Sequence, residues 1–209
     1  MSSWVDRSGG SADIDDRATI GDDTSVWHLA QIREHATIGR NGVIGRGAYI
    51  GPGVVLGDNC KIQNHALVYD PAVLGDGVFI GPAAVLTNDV YPRAVNPDGT
   101  PKQADGWDAA GVTIGDGAAI GARSVVRAGV TIGAWALIGA GAVVVKDVAP
   151  HSMVLGNPAV HVGWVGRAGI RLEPDGDHYR CPHTGELYHH HNDQLRLDPN
   201  GSDGHPPPR

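Results

Sequence analysis

The chain has 209 residues, a formal net charge of −7 and only two cysteines. The negative charge argues against a nucleic-acid-binding protein, which usually carries a basic surface, and two cysteines are too few for a disulfide framework. The first residues, MSSWVDRSGG, lack the apolar stretch of a secretory signal, and no apolar run is long enough to span a membrane, so we expect a cytoplasmic protein.

An aliphatic residue recurs at every sixth position through most of the chain, and a small residue lies two positions before nearly every one. A helix repeats near every 3.6 residues and a strand near every 2. A period of six with two inward positions therefore predicts a short strand, a corner and another short strand. Cys60 falls on a small inward position and is predicted to lie in the core. The aliphatic positions are Ile14, Ile20, Val26, Ile32, Ile38, Ile44, Ile50, Leu56, Ile62, Val68, Leu74, Ile80 and Leu86, then Ile114, Ile120, Val126, Ile132, Ile138 and Val144.

This pattern resembles the hexapeptide-repeat acyltransferases, whose fold is a left-handed parallel β-helix. In that fold three hexads make one triangular turn, so the resemblance implies a coil of a little over six turns. The predicted fold class is all-β: a left-handed parallel β-helix of hexapeptide repeats with one long loop and a small C-terminal appendage. Glycine usually follows the aliphatic residue, and we expect it there because a corner needs its backbone freedom.

The period divides the chain into segments. The β-helix is predicted over residues 11–165, interrupted by a loop at residues 88–111 that is rich in Pro, Asp and Gly. A loop of this length inside a compact domain is usually functional or disordered. Residues 166–197 are predicted to form the appendage, and residues 198–209 a disordered tail.

Some corners lack glycine, and these corners are the candidates for function. Residues three hexads apart should stack on neighbouring turns, which aligns Glu34, Asp70 and Asn88 in one column. Asp70 and Asn88 are then expected about one strand spacing apart, where the long loop leaves the coil. Polar residues at corners can also serve only to satisfy turn backbone groups, and for each single residue this alternative stays open.

Several segments resemble one branch of the family, the sugar-nucleotide 3-N-acetyltransferases, which acetylate the 3-amino group of UDP- or dTDP-linked amino sugars with acetyl-CoA. The resemblance implies a homotrimer that holds a nucleotide sugar and acetyl-CoA between subunits, without a required metal. The chain departs from the branch at Gln63-Asn64-His65, at Tyr69-Asp70-Pro71 and at Val160. The similar segments are VWHLAQI (26–32), KIQNHALVYD (61–70), VFIGPAAVLTNDVYPRA (78–94) and VVVKDVAPHSMVLGNPA (143–159).

The resemblance and the columns together suggest roles for individual residues. Asn88 and Asp70 are predicted to hold the attacking amine in a direct attack on the thioester. His65 is the alternative, as a general base, because the pKa of histidine suits neutral pH. The CoA phosphates call for cations, for which the candidates are Lys146 and Arg167. The predicted substrate-binding residues are His28, Arg33, Glu34, Asn64 and Tyr69.

Three other functions stay open on the sequence. A hexapeptide acyltransferase could act on a different acceptor, including a hydroxyl group. A carbonic-anhydrase-like protein would bind zinc through histidines, and the coil offers His28, His35 and His65. A purely structural β-helix would need neither the polar corners nor the loop. A zinc site in the tail would draw on Cys181, His183, His189, His190 and His191.

Overall fold

A computed structural model describes residues 3–103, 106, 108–191 and 194–202, with side chains as far as residue 199. These residues form a coil of short parallel strands followed by a small antiparallel sheet, and they include no helix that could cross a lipid bilayer. The coil strands are β1 (Val5–Arg7), β2 (Asp13–Ile14), β3 (Thr19–Ile20), β4 (Ser25–Trp27), β5 (Gln31–Ile32), β6 (Thr37–Ile38), β7 (Val43–Ile44), β8 (Tyr49–Ile50), β9 (Val55–Leu56), β10 (Lys61–Ile62), β11 (Leu67–Val68), β12 (Val73–Leu74), β13 (Phe79–Ile80), β14 (Val85–Leu86), β15 (Thr113–Ile114), β16 (Ala119–Ile120), β17 (Val125–Val126), β18 (Thr131–Ile132), β19 (Leu137–Ile138), β20 (Val143–Val144), β21 (Ser152–Leu155) and β22 (Val160–Trp164).

Three parallel sheets form the three faces of the coil. Face A runs from β1 through β4, β7, β10, β13, β16 and β19 to β21, with β22 added antiparallel; face B contains β2, β5, β8, β11, β14, β17 and β20; face C contains β3, β6, β9, β12, β15 and β18. Paired residues lie three hexads apart in the sequence, as in Ile32 with Ile50. Eight parallel strands on face A exceed the six or so turns expected, because β1 and β21 extend the stack without the aliphatic period.

The aliphatic and small positions point inward and form one continuous core. Cys60 is fully buried there, as predicted, and burial raises the pKa of its thiol. Thr24 is a polar residue at one of the small inward positions, and its hydrogen bonds show how the core accommodates it. Its hydroxyl donates to the carbonyl of Gly39 at 2.7 Å and accepts from the N–H of Gly42 at 2.8 Å, so the buried hydroxyl is fully hydrogen-bonded.

The corner glycines are required by space and not by backbone freedom, which corrects the prediction. Gly39 does not have a positive φ, but a Cβ built on it would lie 2.5 Å from Asp58 Oδ1 and 2.6 Å from Asp58 N on the next turn. The left-handed backbone conformation falls two residues later, where it is often held by a non-glycine residue. Asn41, Asn59 and His65 have φ of 56°, 60° and 59° at this position.

The long loop leaves the coil after β14 and returns before β15 without changing the stacking. Leu74 pairs with Ile114 across the loop in the same register in which it pairs with Leu56 on its other side. Both ends of the loop are fixed to the coil and to each other. The N–H of Ala110 donates to the carbonyl of Asn88 at 2.8 Å, and Asp89 forms an antiparallel bridge with Ala109.

A four-stranded antiparallel sheet follows the coil: β23 (Glu173–Asp175), β24 (His178–Arg180), β25 (Glu186–His191) and β26 (Gln194–Ser202). Residues 198–202, predicted to be disordered, belong to β26, whereas residues 203–209 lie outside the described residues. The sheet contacts the coil through His151, whose buried ring packs edge-on against Tyr188 at a centroid distance of 5.1 Å. The His151 Nδ1–H donates to the carbonyl of Val165 at 3.0 Å.

The spacing of the turns predicts that Gly39→Ala destabilises the coil, because the added Cβ would overlap the next turn. We expect a loss of roughly 2 kcal/mol or more in the free energy of unfolding, measured by chemical denaturation. The control is Gly53→Asn, because Gly53 has a φ of 64° and open space around it, and asparagine tolerates that conformation. Equal losses in the two variants would contradict the steric explanation.

The contact between coil and appendage predicts a loss of stability in acid. Burial lowers the pKa of His151 below its ordinary value, with Arg167 adding to the effect and Glu186 opposing it. The unfolded chain therefore binds a proton more readily at this residue, so stability is present above the ordinary histidine pKa of about 6.5 and is lost as pH falls through the lowered value. Tm measured from pH 7.5 to 5 should fall more steeply for the wild type than for His151→Asn; parallel curves would contradict this.

Candidate functional site

The coil has three edges, which we name by the faces they join. The A/B edge includes residues 45–47 and 63–65, the B/C edge residues 33–35 and 69–71, and the C/A edge residues 39–41 and 57–59. Apart from Arg167, which follows β22, the predicted site residues fall on the A/B and B/C edges, so their position on an edge decides which of them can act together.

Side chains at the C/A edge form a ladder of hydrogen bonds between turns. The N–H of Arg40 donates to Asp58 Oδ1 at 2.7 Å, the N–H of Asp58 to Asp76 Oδ1 at 2.7 Å, and the N–H of Asp76 to Asp116 Oδ1 at 2.9 Å. We call each such side-chain oxygen a cap. A cap satisfies a corner N–H of the preceding turn, which is the structural role that polar corner residues can have.

Asn64 on the A/B edge is also a cap. Its Oδ1 accepts the N–H of Arg46 at 2.9 Å. The oxygen of the Asn64 carboxamide thus has a structural partner, and its predicted substrate-binding role would fall to the amide nitrogen. Asn64 lines a groove of about 420 Å³ together with Trp27, His28, Val43, Gly45, Arg46 and Gln63, so two predicted substrate-binding residues, His28 and Asn64, share one groove.

The B/C edge differs because Asp70 and Asn88 are not used as caps, although Thr87 on the same edge accepts the N–H of Ala128 at 2.9 Å. Asp70 and Asn88 follow β11 and β14, which pair in register, so the two residues occupy the same corner position on adjacent turns. Among the described residues, neither the Asp70 carboxylate nor the Asn88 carboxamide has a hydrogen-bond partner. Asn88 is only 8% exposed. No fully buried side-chain nitrogen or oxygen of the described residues lacks a hydrogen-bond partner, so the small exposed part of Asn88 includes its carboxamide.

Tyr69 explains why Asn88 is not a cap. On the other edges the capping oxygen lies where the Cβ of the corner glycine would be. The corner residue below Asn88 is Tyr69, whose own Cβ occupies that place. The aromatic residue that replaces glycine therefore keeps the Asn88 carboxamide away from the backbone of the preceding turn.

Tyr49, which the sequence analysis missed, lies between the predicted residues of this edge. Its ring is 5.1 Å from that of Tyr69 between centroids, at an angle of 48°. Burial raises the pKa of Tyr49, and the charge of Asp70 adds to this whereas Arg33 opposes it. In the sequence, the only signal for Tyr49 was its place as an outward strand residue next to corners without glycine.

Arg33 and Glu34 belong to the same edge and bind each other. Arg33 Nε lies 2.8 Å from Glu34 Oε2, and Arg33 Nη2 lies 3.1 Å from Glu34 Oε1. The pair is partly exposed, so it adds little to stability. It fixes a guanidinium plane beside Tyr49, with which Arg33 also interacts. The structure thus brings together Arg33, Glu34, Tyr49, Tyr69, Asp70 and Asn88.

His65 lies on the A/B edge and is separated from Asp70 and Asn88 by face B. Its N–H donates to the carbonyl of Arg46 at 2.9 Å, and its ring covers the backbone of Gly47, where a Cβ would lie 2.6 Å from His65 Nδ1. Within one chain, therefore, the predicted catalytic residues do not form a single cluster.

The structure does not bring the two candidate CoA-binding cations together on one edge. Lys146 follows β20 on the B/C edge, two turns beyond Asn88, and lines a groove of about 340 Å³ at the end of the coil with Asp147, Ser152, His161 and Trp164. The Arg167 guanidinium lies 4.9 Å from the ring of Trp135, which is on the C/A edge. The N–H of Arg167 also donates to Tyr188 Oη at 2.9 Å.

Within the described part of the chain, no three or more His, Cys, Asp or Glu side chains converge as metal ligands. Cys181, one of the residues on which a tail zinc site would draw, is buried in the appendage core against Leu172, Tyr188 and Leu195. His190 packs against Trp164, at a centroid distance of 5.2 Å. Cys181 and His190 thus serve packing in the described structure.

The bacterial transferase hexapeptide family (six repeats) matches residues 17–52, 36–70, 53–88 and 111–146. These matches cover more than half of the 209 residues. The chain therefore belongs to this family, and the predicted fold class, a left-handed parallel β-helix of hexapeptide repeats, is confirmed. No curated protein sequence matches the chain.

Several solved structures resemble the chain. A point mutant of AntD, an N-acyltransferase from Bacillus cereus in complex with dTDP-4-amino-4,6-dideoxyglucose and coenzyme A, is 18% identical with a TM-score of 0.51, over 78% of this chain and 84% of that one. The acetyltransferase domain of PglB from Neisseria gonorrhoeae, in complex with acetyl coenzyme A, is 22% identical with a TM-score of 0.48, over 73% of this chain. This chain spans 55% of the PglB chain. The likeness to AntD establishes a shared fold.

The contrast between capping and free side chains predicts different effects of removing them. Asn64→Ala leaves the N–H of Arg46 without its partner, and Tm should fall by roughly 3 °C. Asp70→Ala removes no hydrogen bond and should change Tm by less than about 1 °C. Both are measured by differential scanning calorimetry. A larger loss for Asp70→Ala than for Asn64→Ala would show that Asp70 is structural.

Proposed function

We propose that the protein is an acetyl-CoA-dependent N-acetyltransferase that acts on the amino group of a nucleotide-linked sugar. The observation that carries the proposal is the pair of unused polar side chains, Asp70 and Asn88, on one edge of the coil. A scaffold needs no such pair, because its corner side chains would be used as caps like those of the C/A edge. Membership of a transferase family supports the transfer of a group to a substrate.

The side chains at the B/C edge suit an amine acceptor. Acetyl transfer requires an uncharged amine held near the thioester carbonyl. Asp70 would accept a hydrogen bond from the amine, and the Asn88 carboxamide would orient it. The nitrogen lone pair forms a bond to the carbonyl carbon, the C–S bond breaks, and the CoA thiolate leaves. The proton lost by the amine passes to Asp70 and from there to the thiolate or to solvent.

The remaining residues of the edge suit a sugar nucleotide. The tilted rings of Tyr49 and Tyr69 offer an aromatic surface, and the guanidinium of Arg33 is a hydrogen-bond donor suited to phosphate oxygens. We propose a UDP- or dTDP-linked sugar with a 3-amino group, on the basis of the motif resemblance. Lys146, with the largely apolar groove beside it, is the candidate for contacts to CoA.

We further propose a cytoplasmic homotrimer with its sites between subunits and no required metal. Two features of the single chain support this arrangement. The outward residues of face B are aliphatic or aromatic over five successive turns, as Tyr49, Leu67, Val85, Val125 and Val143. This face separates the edge with His65 from the edge with Asp70 and Asn88, so a second subunit could complete the site.

Asn88→Ala tests the proposal. Wild-type protein is incubated with acetyl-CoA and a panel of UDP- and dTDP-linked 3-amino and 4-amino sugars, and release of free CoA thiol is measured. We expect transfer to at least one 3-amino sugar and a loss in kcat of at least tenfold in Asn88→Ala, because the amine loses its orientation.

Tm serves as the control for correct folding, and Tm of Asn88→Ala should stay within a few degrees of the wild type. Acetyl-CoA should raise Tm of the wild type, and zinc should not. A wild type that transfers acetyl to none of the amines, or an unchanged kcat in Asn88→Ala, would remove the proposed role of this edge.

A further inference from the structure

Asp70 has the geometry of a cap but lacks the backbone donor that a cap binds. At the A/B edge, a Cβ built on Gly45 would lie 2.8 Å from Asn64 Oδ1, and this oxygen accepts the N–H of the next residue, Arg46. At the B/C edge, a Cβ built on Gly51 would lie 3.1 Å from Asp70 Oδ1. The oxygen of Asp70 thus lies above its glycine much as the capping oxygen of Asn64 does.

The residue after Gly51 is Pro52, and proline has no N–H. An N–H at residue 52 would face Asp70 Oδ1 as the N–H of Arg46 faces Asn64 Oδ1. A hydrogen bond from a backbone N–H to a carboxylate is charge-assisted and stronger than one between neutral groups. This hydrogen bond would occupy one carboxylate oxygen of Asp70 and fix the Asp70 side chain in a rotamer that points toward the coil.

We propose that Pro52 is a positioning residue for acyl transfer, because it withholds the donor that would otherwise bind Asp70. The carboxylate then stays available to the amine of the acceptor. This inference rests on the proposed function of Asp70. It also assigns a role to a proline at a corner position where Arg40, Arg46 and Asp58, on other turns, each donate the N–H to a cap.

Pro82 provides a matched control. It follows Gly81 at the A/B edge, in the same position of its turn as Pro52. The residue one turn above it is Ala122, which has no side-chain acceptor. Pro52→Ala and Pro82→Ala therefore make the same chemical change and create the same new N–H, but only the N–H at residue 52 meets a carboxylate.

The first arm of the test needs no substrate. Tm is measured for Pro52→Ala, Asp70→Ala and the double variant, and for the corresponding set with Pro82→Ala. We expect Asp70→Ala to lower Tm by about 3 °C more in the Pro52→Ala background than in the wild type. In the Pro82→Ala background it should have the same effect as in the wild type. Equal effects in all three backgrounds would overturn the inference, whatever the activities are.

The second arm measures transfer from acetyl-CoA to the best amine of the panel. Pro52→Ala should lose at least tenfold in kcat while KM for acetyl-CoA stays within twofold, and Pro82→Ala should keep the wild-type kcat. The double variant Pro52→Ala with Asp70→Ala should be no slower than Asp70→Ala alone, because Pro52 acts only through Asp70.

The two arms separate the possible failures. Coupling in Tm with an unchanged kcat in Pro52→Ala would overturn the positioning role, because the bound carboxylate would then be dispensable. A wild type without transfer to any amine would overturn the proposed function, and the catalytic role of Pro52 with it. The coupling in Tm would in that case still show that Asp70 binds the N–H introduced at residue 52.

Discussion

The structure depends on how closely its turns stack at the corners. The backbone of one turn lies so near the next that a Cβ on a corner glycine would meet the following turn within about 3 Å, as at Gly39. The same closeness brings an aspartate or asparagine oxygen of the next turn within reach of a corner N–H. Glycine and cap are thus two parts of one solution, which allows a coil of two-residue strands to satisfy its backbone while a narrow aliphatic core fills its interior.

The candidate site lies on the B/C edge, where Asp70 and Asn88 are not paired with a backbone N–H as caps are. On the C/A edge one oxygen of each aspartate binds a backbone N–H of the preceding turn. On the B/C edge, Tyr69 occupies the place of a cap and Pro52 removes a donor, so that Asn88 and Asp70 keep their hydrogen-bonding capacity. An aspartate or asparagine at these equivalent corner positions can cap the backbone or keep its hydrogen-bonding groups free. The residue next to it on the preceding turn determines which of the two occurs.

The sequence predicts most of the coil because the period itself encodes contacts. A spacing of three hexads was sufficient to place Asp70 and Asn88 at one corner on adjacent turns, and the inward positions of the period identified Cys60 as a core residue. The reason for the corner glycines could not be predicted, since it lies in a distance between turns. Tyr49 was missed because outward strand positions tolerate any side chain. The contact of Arg167 with Trp135 depends on how the appendage packs on the coil, and no repeat describes that contact.

The loop between β14 and β15 shows how tolerant the stack is of interruption. The chain departs beside Asn88 and resumes pairing at β15, with the strands above and below aligned as though nothing had been inserted. Its two ends are tied together by Ala110 and Asn88. Evolution could therefore exchange the excursion for another of different size and chemistry at little cost to folding. Related enzymes could in this way acquire new acceptors while they inherit an unchanged coil.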